Sequence, residues 1–83
     1  MTIREIISSA GRNLHTIMIT AIEDNGTAET REAEPYSYRI KGSDEKFFCY
    51  DINKNGIRNF HVSKIVSVEE TSNKFTPRWP VEV

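Results

Sequence analysis

After residue 14 the apolar residues of this chain stop recurring every three or four positions and recur every second one. That single change of period constrains the fold more than any other feature. Ile3, Ile6, Ile7, Ala10 and Leu14 share one helical face. Thr2 and Glu5 have capping-box spacing, and Gly11 is a natural stop, so a helix is predicted over about residues 2–11. From His15 on, β-branched runs alternate with turn formers at Asp24-Asn25-Gly26, Gly42-Ser43-Asp44-Glu45 and Asn53-Lys54-Asn55-Gly56. Strands are predicted over about 15–23, 27–41, 46–52, 57–62 and 65–69. One helix and five strands joined by short turns predict a mostly β protein. The expected architecture is a small SH3-like or Sm-like five-stranded antiparallel barrel with one N-terminal helix, occupying residues 1–70.

Individual segments carry further expectations. Residues Thr27 to Glu34 are nearly all polar, which predicts an exposed strand with Glu29, Glu32 and Glu34 on a solvated face. Pro35 marks an edge or a bend. Beyond it, strand parity puts Tyr36, Tyr38 and Ile40 on one face and Ser37, Arg39 and Lys41 on the other. Phe47-Phe48-Cys49-Tyr50 is apolar on both faces, hence central. The tail, residues 71–83, contains Pro77-Arg78-Trp79-Pro80 and is expected to be extended. It is read as a strap whose Trp covers the barrel, or as an exposed handle or linker stub.

Size and composition narrow the function classes. A domain of 83 residues buries only about 60–65% of its unfolded surface, so a shallow surface site is expected over a deep catalytic cavity. No apolar run reaches the roughly 20 residues that span a bilayer, and no signal-peptide pattern opens the chain. With one cysteine, Cys49, there is no intramolecular disulfide framework, which suits a reducing, cytoplasmic compartment. Net charge is −1, but it is unevenly spread: −3 over residues 1–34, +3 over 35–66 and −1 over 67–83. The middle of the chain can carry a basic face.

Several blocks together resemble the WYL domain family. They are the leading helix and Ile17-Met18-Ile19, then Glu34-Pro35-Tyr36, then Phe47-Phe48-Cys49-Tyr50-Asp51, then Ile57-Arg58-Asn59-Phe60-His61-Val62-Ser63-Lys64-Ile65. The resemblance spans roughly residues 3–70. It implies an Sm-like barrel and a regulatory module that senses negatively charged ligands, nucleotides and single-stranded nucleic acid among them. The literal Trp-Tyr-Leu is absent, and Phe47-Phe48-Cys49 aligns with it in two registers. Ala21 stands where the family often has an aromatic, and Lys64 where it usually has Arg. Many family members also carry a helix-turn-helix domain and a C-terminal domain. This chain has neither, so it is not expected to read duplex sequence by itself.

The resemblance carries Arg58 and Lys64 over as anion-binding positions, with Tyr36 and Phe48 as looser matches. Arg39 and His61 join them from strand parity and charge. Guanidinium and ammonium supply fixed donors to an anion, and an aromatic face stacks a base. The structural readings beside these are an Arg58–Asp51 pair across the hairpin and a core Phe48. The expected ligand is therefore single-stranded DNA or RNA or a nucleotide-like anion. The competing expectation is a protein-interaction or homodimerisation module that docks a regulatory protein. No cofactor, metal or enzymatic activity is expected. Asp51 to Gly56 begins like a calcium loop, but position twelve is Val62 where a Glu is needed. Cys49 lies in an aromatic strand, His15 and His61 are the only bases with no third orienting residue evident in the sequence, and one Cys with two scattered His is too few for zinc. The glycosylation sequon Asn25-Gly26-Thr27 has no role in a cytosolic protein.

Overall fold

A computed structural model describes all 83 residues. The elements are α1 (Ile3–Asn13), β1 (His15–Ile22), β2 (Ala28–Lys41), β3 (Asp44–Asp51), β4 (Gly56–His61), a 3-10 turn (Val62–Lys64) and β5 (Ile65–Lys74). The five strands form one antiparallel sheet in the order β4-β3-β2-β1-β5. This is the mostly β, barrel-like architecture expected, although β4 and β5 do not pair and the sheet stays open between them.

The helix begins as the sequence predicts. Thr2 Oγ1 accepts from Glu5 N–H at 3.1 Å, and Glu5 Oε1 accepts from Thr2 N–H at 2.7 Å. The helix end differs. It passes Gly11 and stops where Leu14 turns left-handed, at φ 55°, with its N–H on the Ala10 and Gly11 carbonyls. Gly11 instead lies inside the helix, where a Cβ would overlap Val83 Cγ2 and sit 3.2 Å from Val81 Cγ1. Its missing side chain makes room for the C-terminal end of the chain.

The core lies between α1 and the concave face of the sheet. It contains Ile7 and Ala10, Ile17, Ile19 and Ala21, Ala33, Phe47 and Cys49, Phe60, Ile65 and Val68. Ile3, Ile6, Tyr38, Val62 and Val83 pack against it. Phe47, and not Phe48, is the aromatic of β3 that enters the core: Phe48 is half-buried on the outer face.

β2 bends the sheet. Its first half pairs with β1 as far as Ala33, and its second half pairs with β3 from Ala33 to Lys41. Pro35 is fully buried without breaking the strand, because β1 has already left the side its missing N–H would serve. One extra residue follows: Pro35 pairs with Cys49 and Ser37 with Phe48, so Tyr36 is bulged. The bulge shifts the parity. Tyr38 packs on Phe47 in the core, with ring centroids 5.4 Å apart. Tyr36 turns to the outer face, so the two tyrosines do not share one.

There Tyr36 is covered by the tail. β5 runs to Lys74, beyond the predicted Glu69, and the strap begins at Phe75, whose N–H bonds Leu14 O at 2.9 Å. The Trp79 ring stacks on Tyr36 at 4.2 Å and 22°. Phe75 meets Tyr36 edge-on, and Glu82 N–H bonds Tyr36 O at 2.7 Å. The tail lies as a strap across this outer face. Glu34, expected in solvent, is buried in this second small core. It accepts from Tyr36 OH at 2.6 Å and from Arg78 Nε at 3.1 Å. Glu32 is half-buried and bonds Thr16 and Asn73, so of the three carboxylates only Glu29 is exposed.

Candidate functional site

Strand pairing sorts the candidate residues before any side chain is considered. Residues opposite each other in an antiparallel pair point to the same side. Arg58 pairs with Cys49 and Phe60 with Phe47, so both belong to the concave side. Asn59 pairs with Phe48 and His61 with Lys46, on the outer face. Arg58 and His61 thus leave β4 on opposite sides.

They meet again at its free edge. A groove of about 240 Å³ there is lined by Arg58, His61 and Lys64, together with Lys46, Asn59, Phe60, Ile22, Glu23 and Asp24. Lys64 reaches it from the 3-10 turn after β4. Three of the six candidate residues therefore share one site. Lys46 is a further cation here that sequence reasoning did not single out, although its parity with Phe48 was legible. No lysine in the chain forms an ion pair. Lys46 and Lys64 thus keep their ammonium donors for an incoming anion.

Arg58 is less free. Its Nη2 donates to Glu23 Oε1 at 2.8 Å, and its guanidinium lies 5.7 Å from the Phe60 ring centroid. The expected Arg58–Asp51 pair does not form, because Arg31 occupies that carboxylate. Arg31 Nη1 donates to Asp51 Oδ2 at 3.0 Å, and its Nη2 to Glu23 Oε1 at 2.7 Å. Glu23 thus bridges Arg31 and Arg58. Burial alone would raise the Glu23 pKa, but hydrogen bonds and charge from both arginines outweigh it and hold the pKa below its ordinary value. The second Asp51 oxygen accepts the Asn53 and Lys54 N–H groups, at 3.0 and 3.1 Å. Asp51 is a turn cap, and the calcium-like pattern is a hairpin.

His61 is exposed, with Nδ1 2.8 Å from Asp44 Oδ1. Arg39 is exposed and lies 3.3 Å from Glu82. Arg39 and Phe48 line two further outer-face grooves. One, of about 270 Å³, includes Ser37, Ile57 and Trp79. The other, of about 280 Å³, includes Lys41, Asp44 and Lys46. Lys46 lines both this last groove and the β4-edge groove, and joins them. Tyr36 lines none of the three. Enclosed by Trp79, Phe75 and Glu34, it is fully buried, and burial foremost pushes its phenol pKa up to about 12. It supports the site from beneath and does not offer a face to a ligand. Trp79 is the surface aromatic that the sequence had left in the tail.

Comparison with known proteins gives a fold relationship. No protein-family model and no curated protein matches the chain. Among solved structures it is similar to the proteasome accessory factor B/C (PafBC) of Arthrobacter aurescens, a WYL-domain-containing protein, with a TM-score of 0.76 and 19% identity. The match covers 94% of this chain and 13% of that one. The likeness supports a WYL-like fold.

Proposed function

We propose that this chain is a non-catalytic, WYL-type ligand-sensing module that binds single-stranded nucleic acid or a nucleotide-like anion. The observation that carries the reading is the convergence of Lys46, Arg58, His61 and Lys64 on one groove at the edge of β4, with two unpaired ammonium groups. Guanidinium and ammonium groups around an open groove suit phosphate oxygens. The fold likeness to one segment of a much longer protein supports a regulatory module of this kind. Binding would act by mass action, favouring one arrangement of the module or its partner. The unpaired, buried Cys49 favours a reducing compartment such as the cytoplasm. The same burial argues against Cys49 as a nucleophile. No helix is long and apolar enough to cross a membrane.

Fluorescence anisotropy with labelled single-stranded DNA and RNA across a salt series tests the reading. Each phosphate contact on a single strand contributes about −0.7 to the slope of log K against log salt. Lys46→Ala with Lys64→Ala should therefore flatten the slope by about 1.4. This pair is a cleaner probe than Arg58→Ala, which also strips Glu23 of a partner. Absence of saturable binding, or wild-type affinity in the double variant, refutes the anion site.

A second reading is a protein-interaction or homodimerisation module. It rests on the unpaired edges of β4 and β5 and on Ile57 and Val66, which are 61% and 55% exposed. Sedimentation at rising concentration separates the two: a strict monomer removes the homodimer.

A further inference from the structure

The outer face of β2, β3 and β4 is ordered in rows. Tyr50 pairs with Ile57, then Ser37, Phe48 and Asn59 align, then Arg39, Lys46 and His61, and last Lys41 and Asp44. Successive rows lie two residues apart along a strand, about 7 Å. Phe48 is half-buried in the second row, and the strap lays Trp79 beside it. Tyr36 backs the Trp79 ring at 4.2 Å and Tyr50 meets it edge-on at 6.3 Å, so the indole is held rigidly where it lines the groove with Phe48 and Ile57. One row further on stand Arg39 and Lys46, then Lys41. Asp44 and Glu82 are the acids beside them, each already paired, with the His61 imidazole and the Arg39 guanidinium respectively. An apolar, aromatic slot thus lies one row from a cluster of cations. A base and its phosphate have this polarity and roughly this separation.

We propose that Trp79 and Phe48 form a stacking slot for an unpaired base of a single-stranded nucleic acid, with Arg39, Lys41 and Lys46 taking its phosphates. The inference rests on the nucleic-acid reading above and deepens it. It adds a ligand-contacting residue from the strap, outside the stretch that resembles the WYL family. It also extends the binding path from the β4 edge, through Lys46, across the outer face. Tyr36 becomes the platform under Trp79 and not the stacking residue itself. Stacking tolerates any base, so the slot selects single strands over duplex without reading sequence.

Trp79 is the only tryptophan, so its emission reports the slot directly. The wild-type chain is titrated with short oligothymidylate, oligouridylate, an abasic oligonucleotide of equal length and inorganic phosphate. Label anisotropy follows each oligonucleotide in parallel. The expected result is saturable quenching by the two base-bearing strands without a red shift, and none by the abasic strand or phosphate. Phe48→Leu keeps the bulk but removes the ring, and should weaken binding about tenfold. Its thermal transition is measured alongside to show that the variant is folded. Three results overturn the slot while leaving the anion site standing. They are anisotropy-detected binding with unmoved Trp79 emission, equal affinity for abasic and base-bearing strands, and a red shift that reports a displaced strap. If no strand binds by either readout, both readings fall together.

Discussion

Arg78 holds the strap against the outer face, and replacing it is the sharpest test of how this small second core is stabilised. Its guanidinium lies 3.8 Å over the Tyr50 ring, with Nε 3.1 Å and Nη2 3.4 Å from the Glu34 carboxylate. The Arg78 side chain is 46% exposed and that of Glu34 only 6%. The exposed partner makes the ion pair itself weak, about 0–1 kcal/mol. The cation–π contact adds about 0.5–1 kcal/mol. The larger effect is indirect: Arg78→Ala leaves a buried carboxylate with Tyr36 OH as its remaining side-chain donor. Stranding a fully buried charge costs about 3–5 kcal/mol, an upper bound here because water enters where Arg78 stood. Together these give a loss of about 1.5–3 kcal/mol for Arg78→Ala. In a domain this size that lowers Tm by on the order of 10 °C. The stranded charge has a signature beyond magnitude. In a Glu34→Gln background there is neither an ion pair to lose nor a charge to strand, and only the cation–π contact remains, so the same substitution should cost about 1–2 kcal/mol less. Urea unfolding followed by Trp79 emission measures the cycle. Equal cost in both backgrounds would refute the stranded-charge argument, and an unshifted Trp79 emission in Arg78→Ala would refute the latch.

Three further outcomes are expected. Glu70 accepts from Asn13 and Ser9 and faces His15, and these hydrogen bonds, Asn13 foremost, hold its pKa below the ordinary value; Thr16 and then Asn73 do the same for Glu32. A depressed folded-state pKa contributes stability above the unfolded value of 4.5 that is lost as pH falls through the folded value. The urea midpoint should therefore fall on acidification below about pH 4.5, and less steeply in Glu70→Gln. Gly11→Ala should stabilise a chain lacking residues 81–83 by up to about 1 kcal/mol through helix propensity. In the full chain the gain should vanish or reverse, because the new methyl displaces Val83; equal gain in both chains by thermal melting would contradict that packing. Burial foremost pushes the Cys49 thiol up to about 12. It should react with a disulfide reagent only as fast as the protein opens, and fast labelling of the native state would show otherwise.

How much of this was legible beforehand divides along a physical line. Local pattern carried the helix start, the strands and the turns. Capping chemistry, alternation and glycine at left-handed positions act over a few neighbouring residues. Gly26 and Gly42 do sit at positive φ, 85° and 65°. Order along the chain also placed Arg58, His61 and Lys64 together, because one strand and the turn after it carry all three. What failed did so where one long-range contact outweighed a local rule. Gly11 does not end the helix, because it makes room for Val83, which lies 72 residues away along the chain. Glu34 is not in solvent, because Arg78 and Tyr36 satisfy its carboxylate.

The bulge at Tyr36 is the sharpest case. Parity is a local rule, and one inserted residue reverses it for everything upstream. No composition or spacing near Pro35 announces that insertion. It is settled by which residues β3 and the strap present to β2. The sequence alone determined that the chain is a helix followed by five strands, with a net positive stretch over residues 35–66. The tertiary structure decided which of its cations meet at the β4 edge. It also decided that Tyr36 lies beneath the surface and Trp79 upon it, because burial is shared between segments distant in the chain.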